Sequence, residues 1–333
     1  MRGLVRVLGA VIVAVLSLAG LAGGFMWKRL HEPYKGFSQP VFVEFARGTS
    51  TREIAAQLGS KGVISDEWLF LAARALRRGA RLQAGEYKFE NAASPLDVFG
   101  RIQRGDIFYL ELLIPEGFNI FDVADAVGRL GTVKPADFLA AAKDPSPIRD
   151  LDPEAPSLEG YLFPNKYRIY RYMTARQICV MMTAEFRARW NSLHTDANVH
   201  RAVTLASMVE REAHLAGEQP VVASVFANRM RIGMKLDCDP TTIYAAVLEN
   251  RWSGTIHRSD LDNPSPWNTY QHAGLPPGPI ANPGIGALEA AVHPAESSYL
   301  YFVAKADGSG GHNFADSLAK HGANVAEYHR ARH

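Results

Sequence analysis

The chain has 333 residues, of which 47% are hydrophobic and 21% charged, a balance that excludes a disordered or collagen-like polymer and leaves room for two or three folded domains. Lys and Arg number 36 against 34 Asp and Glu, so no basic excess points to nucleic acid. The two cysteines, Cys179 and Cys238, form no C-x-x-C pair; they read as separate buried thiols, with pairing in an oxidising compartment as the alternative.

Residues Val7 to Trp27 carry no charged side chain. As a helix this run spans roughly 31 Å, the thickness of a bilayer core. Arg2 and Arg6 precede it, and Trp27, Lys28 and Arg29 follow as interface anchors. A cleaved signal peptide is the competing reading, but the run is long for its apolar segment. The expectation is therefore a retained anchor at 7–27, a short cytoplasmic end at 1–6, and everything else on the far side.

An internal repeat comes next. Val43-Glu44-Phe45-Ala46-Arg47-Gly48, then Ile54-Ala55, matches Leu112-Leu113-Ile114-Pro115-Glu116-Gly117, then Val123-Ala124. In the same register Leu69–Ala73 faces Phe138–Ala142. Each copy opens on alternating apolar residues, a half-buried strand, and continues through a Gly turn into a capped helix and a second helix. Thr49 or Ser50 caps the first copy and Asn119 the second. A looser third cue sets Ala84–Phe89 against Glu159–Phe163 after a somewhat longer spacer. The strand and its helix resemble the start of a LysM module, a small glycan-binding unit, best at residues 38–105. Residues 106–150 read as a repeated α/β linker unit. Plain packing units that space a catalytic domain from the membrane are the alternative to glycan binding.

From 200 to 232 the pattern gives two helices. Ala202 to Val209 is apolar nearly all round, which marks a buried helix. It runs into Glu210-Arg211-Glu212. A carboxyl at the end of a buried helix is costly unless paired, protonated or facing a cleft, and desolvation there raises its pKa toward that of a working general acid. Two residues apart on a helix, Glu210 and Glu212 point about 200° apart and cannot share a cleft. Periodicity does not choose between them, and an ion pair with Arg211, Arg229 or Arg231 is the structural alternative for either. A second helix starts near Pro220 and closes at Gly233, and a third starts near Thr241 after the Asp239-Pro240 turn. No H-E-x-x-H, G-x-S-x-G or phosphate-loop motif occurs, so no metal and no cofactor are expected.

Ala206-Ser207-Met208-Val209-Glu210-Arg211-Glu212, Val222–Met230 and Asp239-Pro240-Thr241-Thr242-Ile243-Tyr244 resemble the MltG (YceG-like) family of endolytic murein transglycosylases. So do Leu158–Pro164, Trp267-Asn268-Thr269-Tyr270, Gly274–Gly284, Tyr299–Ala304 and Gly311-His312-Asn313-Phe314, in family order. Trp267 and Cys238 depart from the family's commoner tyrosine and small polar residue. The resemblance implies an α+β fold: a single N-terminal transmembrane helix, a LysM-like α/β subdomain, and a YceG-like catalytic domain at 151–333. It also implies that Glu210 is the catalytic acid, without cofactor. The implied reaction cuts peptidoglycan glycan strands between N-acetylmuramic acid and N-acetylglucosamine and leaves 1,6-anhydro ends. The implied setting is the periplasmic face of the inner membrane, beside peptidoglycan synthases. Asn228, Asp239, Thr241, Asn268, Tyr270 and His312 are the expected sugar contacts. A non-catalytic peptidoglycan scaffold and a water-using muramidase remain the alternatives.

Overall fold

The computed structural model describes residues 2–331 and divides them into two compact units, meeting in sequence at Tyr109 and Leu110. Met1 and residues 332–333, the outer ends of two expected spans, lie outside the described residues. Helix α1 (Arg2–His31) contains the expected anchor. From Arg6 onward it is long and apolar enough to cross a membrane, with a mean hydropathy of 2.3 in its best window and no burial of that window against the protein. Its C-terminal end is seated in the fold: Leu30 is buried in the first unit's core, and Arg29 pairs with Asp66 at 2.8 Å.

The first unit runs β1 (Val41–Phe45), α2 (Thr51–Ser60), α3 (Glu67–Leu76), β2 (Gly85–Phe89) and α4 (Pro95–Arg104), with β1 and β2 antiparallel. Ser50 caps α2 through a reciprocal pair with Glu53, and Ser94 does the same for α4 with Asp97. Alternation along β1 sends Val43 and Phe45 inward to meet Tyr87, Phe89, Leu58, Phe70 and Phe99.

The second unit opens on the repeat: β3 (Leu110–Leu113), α5 (Ile120–Arg129), α6 (Pro135–Ala142) and β4 (Lys166–Ile169), again an antiparallel strand pair around two helices. Asn119 caps α5, with Asp122 reciprocating. The third repeat cue needs correction. Val43 lies opposite Tyr87, and its counterpart Leu112 lies opposite Tyr167, so the second copy closes on Tyr167-Arg168-Ile169 and not on Glu159–Phe163. Glu159–Phe163 is a buried turn that passes through Gly160 at φ +87°. That conformation breaks a strand, and a non-glycine residue rarely adopts it.

Residues 110–150 share one hydrophobic core with the rest of the second unit: Val123, Val127 and Phe138 pack with Leu158, Phe186 and Met208. Helices α7 (Ala175–Ser192), α8 (Val199–Glu212), α9 (Gln219–Arg231), α10 (Asp239–Leu248), the short α11 (Arg258–Leu261) and α12 (Ile285–Val292) come next. A hairpin, β5 (Tyr301–Ala304) with β6 (His312–Ala315), and α13 (Leu318–Ala331) complete the unit. Helix α8 is central, packed against α9 and α12, and every residue from Ala202 to Val209 is buried. Cys179 and Cys238 are free and buried apart, on α7 and just before α10.

A buried polar triad ties the start of α8 to two loops. Asp152 accepts hydrogen bonds from the Tyr161 hydroxyl and from His200 Nδ1 (2.8 Å), and His200 Nε2 donates to the Pro277 carbonyl (3.0 Å). Both ring nitrogens face acceptors, which favours the imidazolium. The bond to Asp152 raises the His200 pKa against the opposing effect of burial. For Asp152 burial works upward, but the bonds from His200, Tyr161 and the Glu154 amide outweigh it and hold the carboxyl below its ordinary value. The raised histidine stabilises the fold fully below about pH 6.5, and its contribution fades as pH rises through the folded-state value. The lowered aspartate contributes above about pH 4, and its contribution is lost as pH falls through its folded value. The triad's own contribution should therefore be flat between those limits and decline on the alkaline side, in addition to the decline that the raised carboxyls of Glu159, Glu210 and Glu212 bring as pH rises. Urea midpoints measured from pH 5 to 9 test this. The decline above about pH 6.5 should become shallower in His200→Gln, and an unchanged decline in that variant would exclude the triad as a source.

Candidate active site

Helix α8 stays buried until its last turn, which delivers Glu210 and Glu212 to opposite sides of the helix. Glu210 opens onto a cleft of about 640 Å³ walled by Glu116, Gly117, Arg211, His214, Gln219 and Gly286, among others. Its Oε2 accepts the Gly284 N–H at 3.0 Å. Gly284 leaves the space that Glu116 fills, since a Cβ there would fall 1.8 Å from a Glu116 carboxyl oxygen. Arg211 turns aside and donates to the Gly117 carbonyl at 3.1 Å. Burial pushes the Glu210 pKa up to about 7. The Gly284 bond pulls it down, the Glu116 charge adds to the rise, and Arg211 offsets part of it.

Glu212 faces a second hollow, of about 430 Å³, with Arg229, Asp237, Asp239, Tyr270, Tyr301 and His321. Its Oε1 accepts the thiol hydrogen of Cys238 at 3.2 Å, and burial pushes it too up to about 7. The separation of the two glutamates is what helical geometry requires of residues two apart.

The six expected sugar contacts do not gather around Glu210, and none is among the walls of its cleft. Asp239 and Tyr270 line the Glu212 hollow, joined by a 2.7 Å bond from the Tyr270 hydroxyl to Asp239 Oδ1. Thr241 is fully buried and bonds the Cys238 carbonyl (2.6 Å) and the Thr269 hydroxyl (2.9 Å). Asn268, also fully buried, donates to the carbonyls of Asp260, Leu261 and Asn263 and so shapes its own loop. Asn228 ties α9 to the carbonyls of Ser297 and Tyr299. His312 is paired with Glu218 at 2.7 Å, and its backbone N–H is held by the same carboxyl. These four side chains do internal structural work.

Sequence reasoning did not single out Glu116, His214, Gln219 or the Gly284 N–H. One signal for Glu116 was present. In the repeat register it stands where the first copy has Arg47, a reversal of charge inside an otherwise matching strand–turn.

The sequence profile of the YceG-like family matches residues 43–327, from within β1 to within α13, and so includes α8 and the C-terminal hairpin. The chain belongs to the YceG-like family. An endolytic murein transglycosylase of Bacillus subtilis (strain 168) is 30% identical, over 86% of each chain. An endolytic murein transglycosylase of Streptococcus pneumoniae (serotype 2, strain D39) is 27% identical over 96% of this chain, which spans 64% of that longer protein. Among solved structures, a yceG-like protein of Listeria monocytogenes superposes with a TM-score of 0.55 at 30% identity, covering 86% of this chain and 99% of that one. For this YceG-like chain the mixed helix-and-strand architecture expected from sequence is the observed one.

Proposed function

We propose that this chain is a membrane-anchored endolytic transglycosylase of peptidoglycan, and that Glu210 is its acid and then its base. The observation that carries this reading is a carboxyl held near neutrality in an open cleft, with a backbone N–H on one oxygen. Protonated, Glu210 gives its proton to the glycosidic oxygen between N-acetylmuramic acid and N-acetylglucosamine. Ionised by that step, and steadied by the Gly284 N–H, it takes the proton of the muramic C6 hydroxyl as that oxygen closes onto C1. A 1,6-anhydro end results, and no water is consumed. One group serves both steps only if its pKa lies near the working pH. Glu116 supplies negative charge where the sugar ring becomes positive in the transition state.

The cleft shares Ala216, Gln219 and Gly286 with an adjoining hollow of about 530 Å³ that reaches Ser192 and His293. Such a continuous groove suits a strand that enters internally and not only by its end. Residues 110–150 bring Glu116 to the cleft, so we assign them to the catalytic unit together with 151–333. The strand–helix–helix–strand order of the first unit supports reading 38–105 as a LysM-like glycan holder. With α1 in the inner membrane, the catalytic unit would face the periplasm and cut nascent strands beside the synthases that extend them, ending their elongation.

A second reading has one observation in its favour. Glu116 is a second carboxylate in the same cleft, and two carboxylates are the equipment of a hydrolytic muramidase. Product chemistry separates the two. Uncrosslinked strands digested in water enriched in heavy oxygen should yield shorter strands whose new muramic ends are lighter by one water and unlabelled. Reducing ends carrying the label would establish hydrolysis, and strands left at full length would leave only a binding scaffold.

A further inference from the structure

Behind the cleft lies a buried polar network that the proposed reaction does not use directly. Asn282 is fully buried. Its Oδ1 accepts the Leu162 N–H at 2.9 Å. Its Nδ2 donates to the Phe118 carbonyl at 2.8 Å and reaches a Glu159 carboxyl oxygen at 3.3 Å. Its backbone N–H bonds the Phe118 carbonyl (2.8 Å), and its carbonyl receives the Gly117 N–H (3.0 Å). Glu159, itself buried, also accepts the Ile120 N–H and the Tyr244 hydroxyl, each at 3.0 Å. One amide side chain therefore fastens three stretches distant in sequence: the turn that carries Glu116 and Gly117, the Glu159–Leu162 turn, and the loop that ends at Gly284.

That loop is also pinned to α8. The Ile280 N–H donates to Ser207 Oγ at 3.0 Å, and Ser207 is oriented by its own bond to the Thr204 carbonyl. Ser207 and Glu210 lie three residues apart on one helix face. The loop thus meets that face at Ser207 and again at Glu210, through Gly284, with Asn282 between the two contacts.

We propose that Asn282, seated on the buried Glu159 carboxyl, is a positioning residue that holds the Gly284 N–H on the Glu210 carboxylate. It touches no reacting atom. Without its amide the loop keeps only its backbone bonds to Gly117 and Phe118 and loses its ties to Leu162 and Glu159, and the Gly284 N–H is no longer held on Glu210. The carboxylate form of Glu210 then loses its one backbone donor, so the acid holds its proton to higher pH. The other charged groups facing Glu210 are Glu116 and Arg211, with His214 on the cleft wall; the Glu116 turn keeps its backbone bonds to residue 282, and Arg211 keeps its bond to the Gly117 carbonyl.

The proposal rests on the reading of Glu210 as the acid, but its decisive measurement does not require turnover. The full chain labelled with carbon-13 at glutamate carboxyls is titrated by NMR, with the Glu210 signal identified by its disappearance in Glu210→Gln. In Asn282→Ala the Glu210 titration should move to higher pH. With uncrosslinked glycan strands, kcat should fall at least about tenfold and KM should stay within about twofold, the pattern of a lost transition-state contact. The alkaline limb of kcat should follow the titration upward. If Asn282→Ala does not fold, Ser207→Ala removes the loop's other anchor and should move the Glu210 titration the same way. An unmoved titration in a folded variant overturns the proposal, even where activity falls. A moved titration alongside full activity of Glu210→Gln would leave Asn282 as the residue that holds Glu210 but sink the reading of Glu210 as the acid.

Discussion

Glu210→Gln should lower kcat at least about a hundredfold, the usual contribution of a general acid, while leaving the fold and KM nearly unchanged. Glutamine has the same shape and can still accept the Gly284 N–H, but it has no proton to give and cannot take one. The wild-type enzyme should show a kcat that falls as pH rises through about 7, because the bond-breaking step needs the protonated carboxyl. In Glu210→Gln the remaining activity should lose that limb. Glu212→Gln is the decisive comparison, since burial brings both carboxyls to about 7 and the two open on different hollows. Glu212 meets the Cys238 thiol and lies beside Arg229, whose positive charge opposes an oxocarbenium-like transition state. Glu212→Gln should therefore cost no more than about tenfold, the scale of one altered hydrogen bond. A hundredfold loss in Glu212→Gln with normal turnover in Glu210→Gln would move the active site to the hollow that holds Asp239 and Tyr270. Those residues, expected from sequence as sugar contacts, would then belong to it.

What could be read from sequence was local. The apolar run at 7–27, the caps at Ser50 and Asn119, and the buried stretch Ala202–Val209 are patterns within one element, and periodicity or capping chemistry finds them. The 200° separation of Glu210 and Glu212 is a property of the helix alone. The companions of Glu210 were not legible, because Glu116 and Gly284 reach it from opposite directions along the chain and only packing brings them together. The Gly284 contribution is a backbone N–H, which no side-chain motif announces. The resemblance strings drew attention to Thr241, Asn268, Asn228 and His312 for a different physical reason. A buried loop or helix junction needs its polar groups satisfied as strictly as a cleft needs its ligands, and these residues satisfy them. The closing strand of the repeat was misplaced because Glu-Gly-Tyr resembles Gly-Glu-Tyr in composition, while the ladder at Tyr167 is a matter of pairing.

Gly160→Ala should destabilise the second unit by about 2–6 kcal/mol, the sum of an overpacking cost and a left-handed backbone cost. Gly160 sits at φ +87°, beside the buried Glu159. A Cβ there would lie 2.5 Å from both Cβ and Cγ of Pro279 and 2.8 Å from Cγ1 of Val203. None of these atoms is the free end of a flexible chain: one pair belongs to a proline ring, and the other is a β-branched side chain inside α8. Relief must therefore come from moving the backbone of the loop that leads from Pro279 to Gly284, or of α8 itself. Gly131→Ala supplies the control. Its φ of +73° carries a similar backbone cost, but no atom lies within 4 Å of its Cβ position. Chemical denaturation followed by tryptophan fluorescence should lower the midpoint far more for Gly160→Ala than for Gly131→Ala, and the difference isolates the steric part. Equal losses would mean that backbone conformation, and not the approach of Pro279 and Val203, makes glycine necessary at 160. Because the displaced loop carries the Gly284 N–H, the folded fraction of Gly160→Ala should also turn over more slowly than wild type, whereas Gly131→Ala should not.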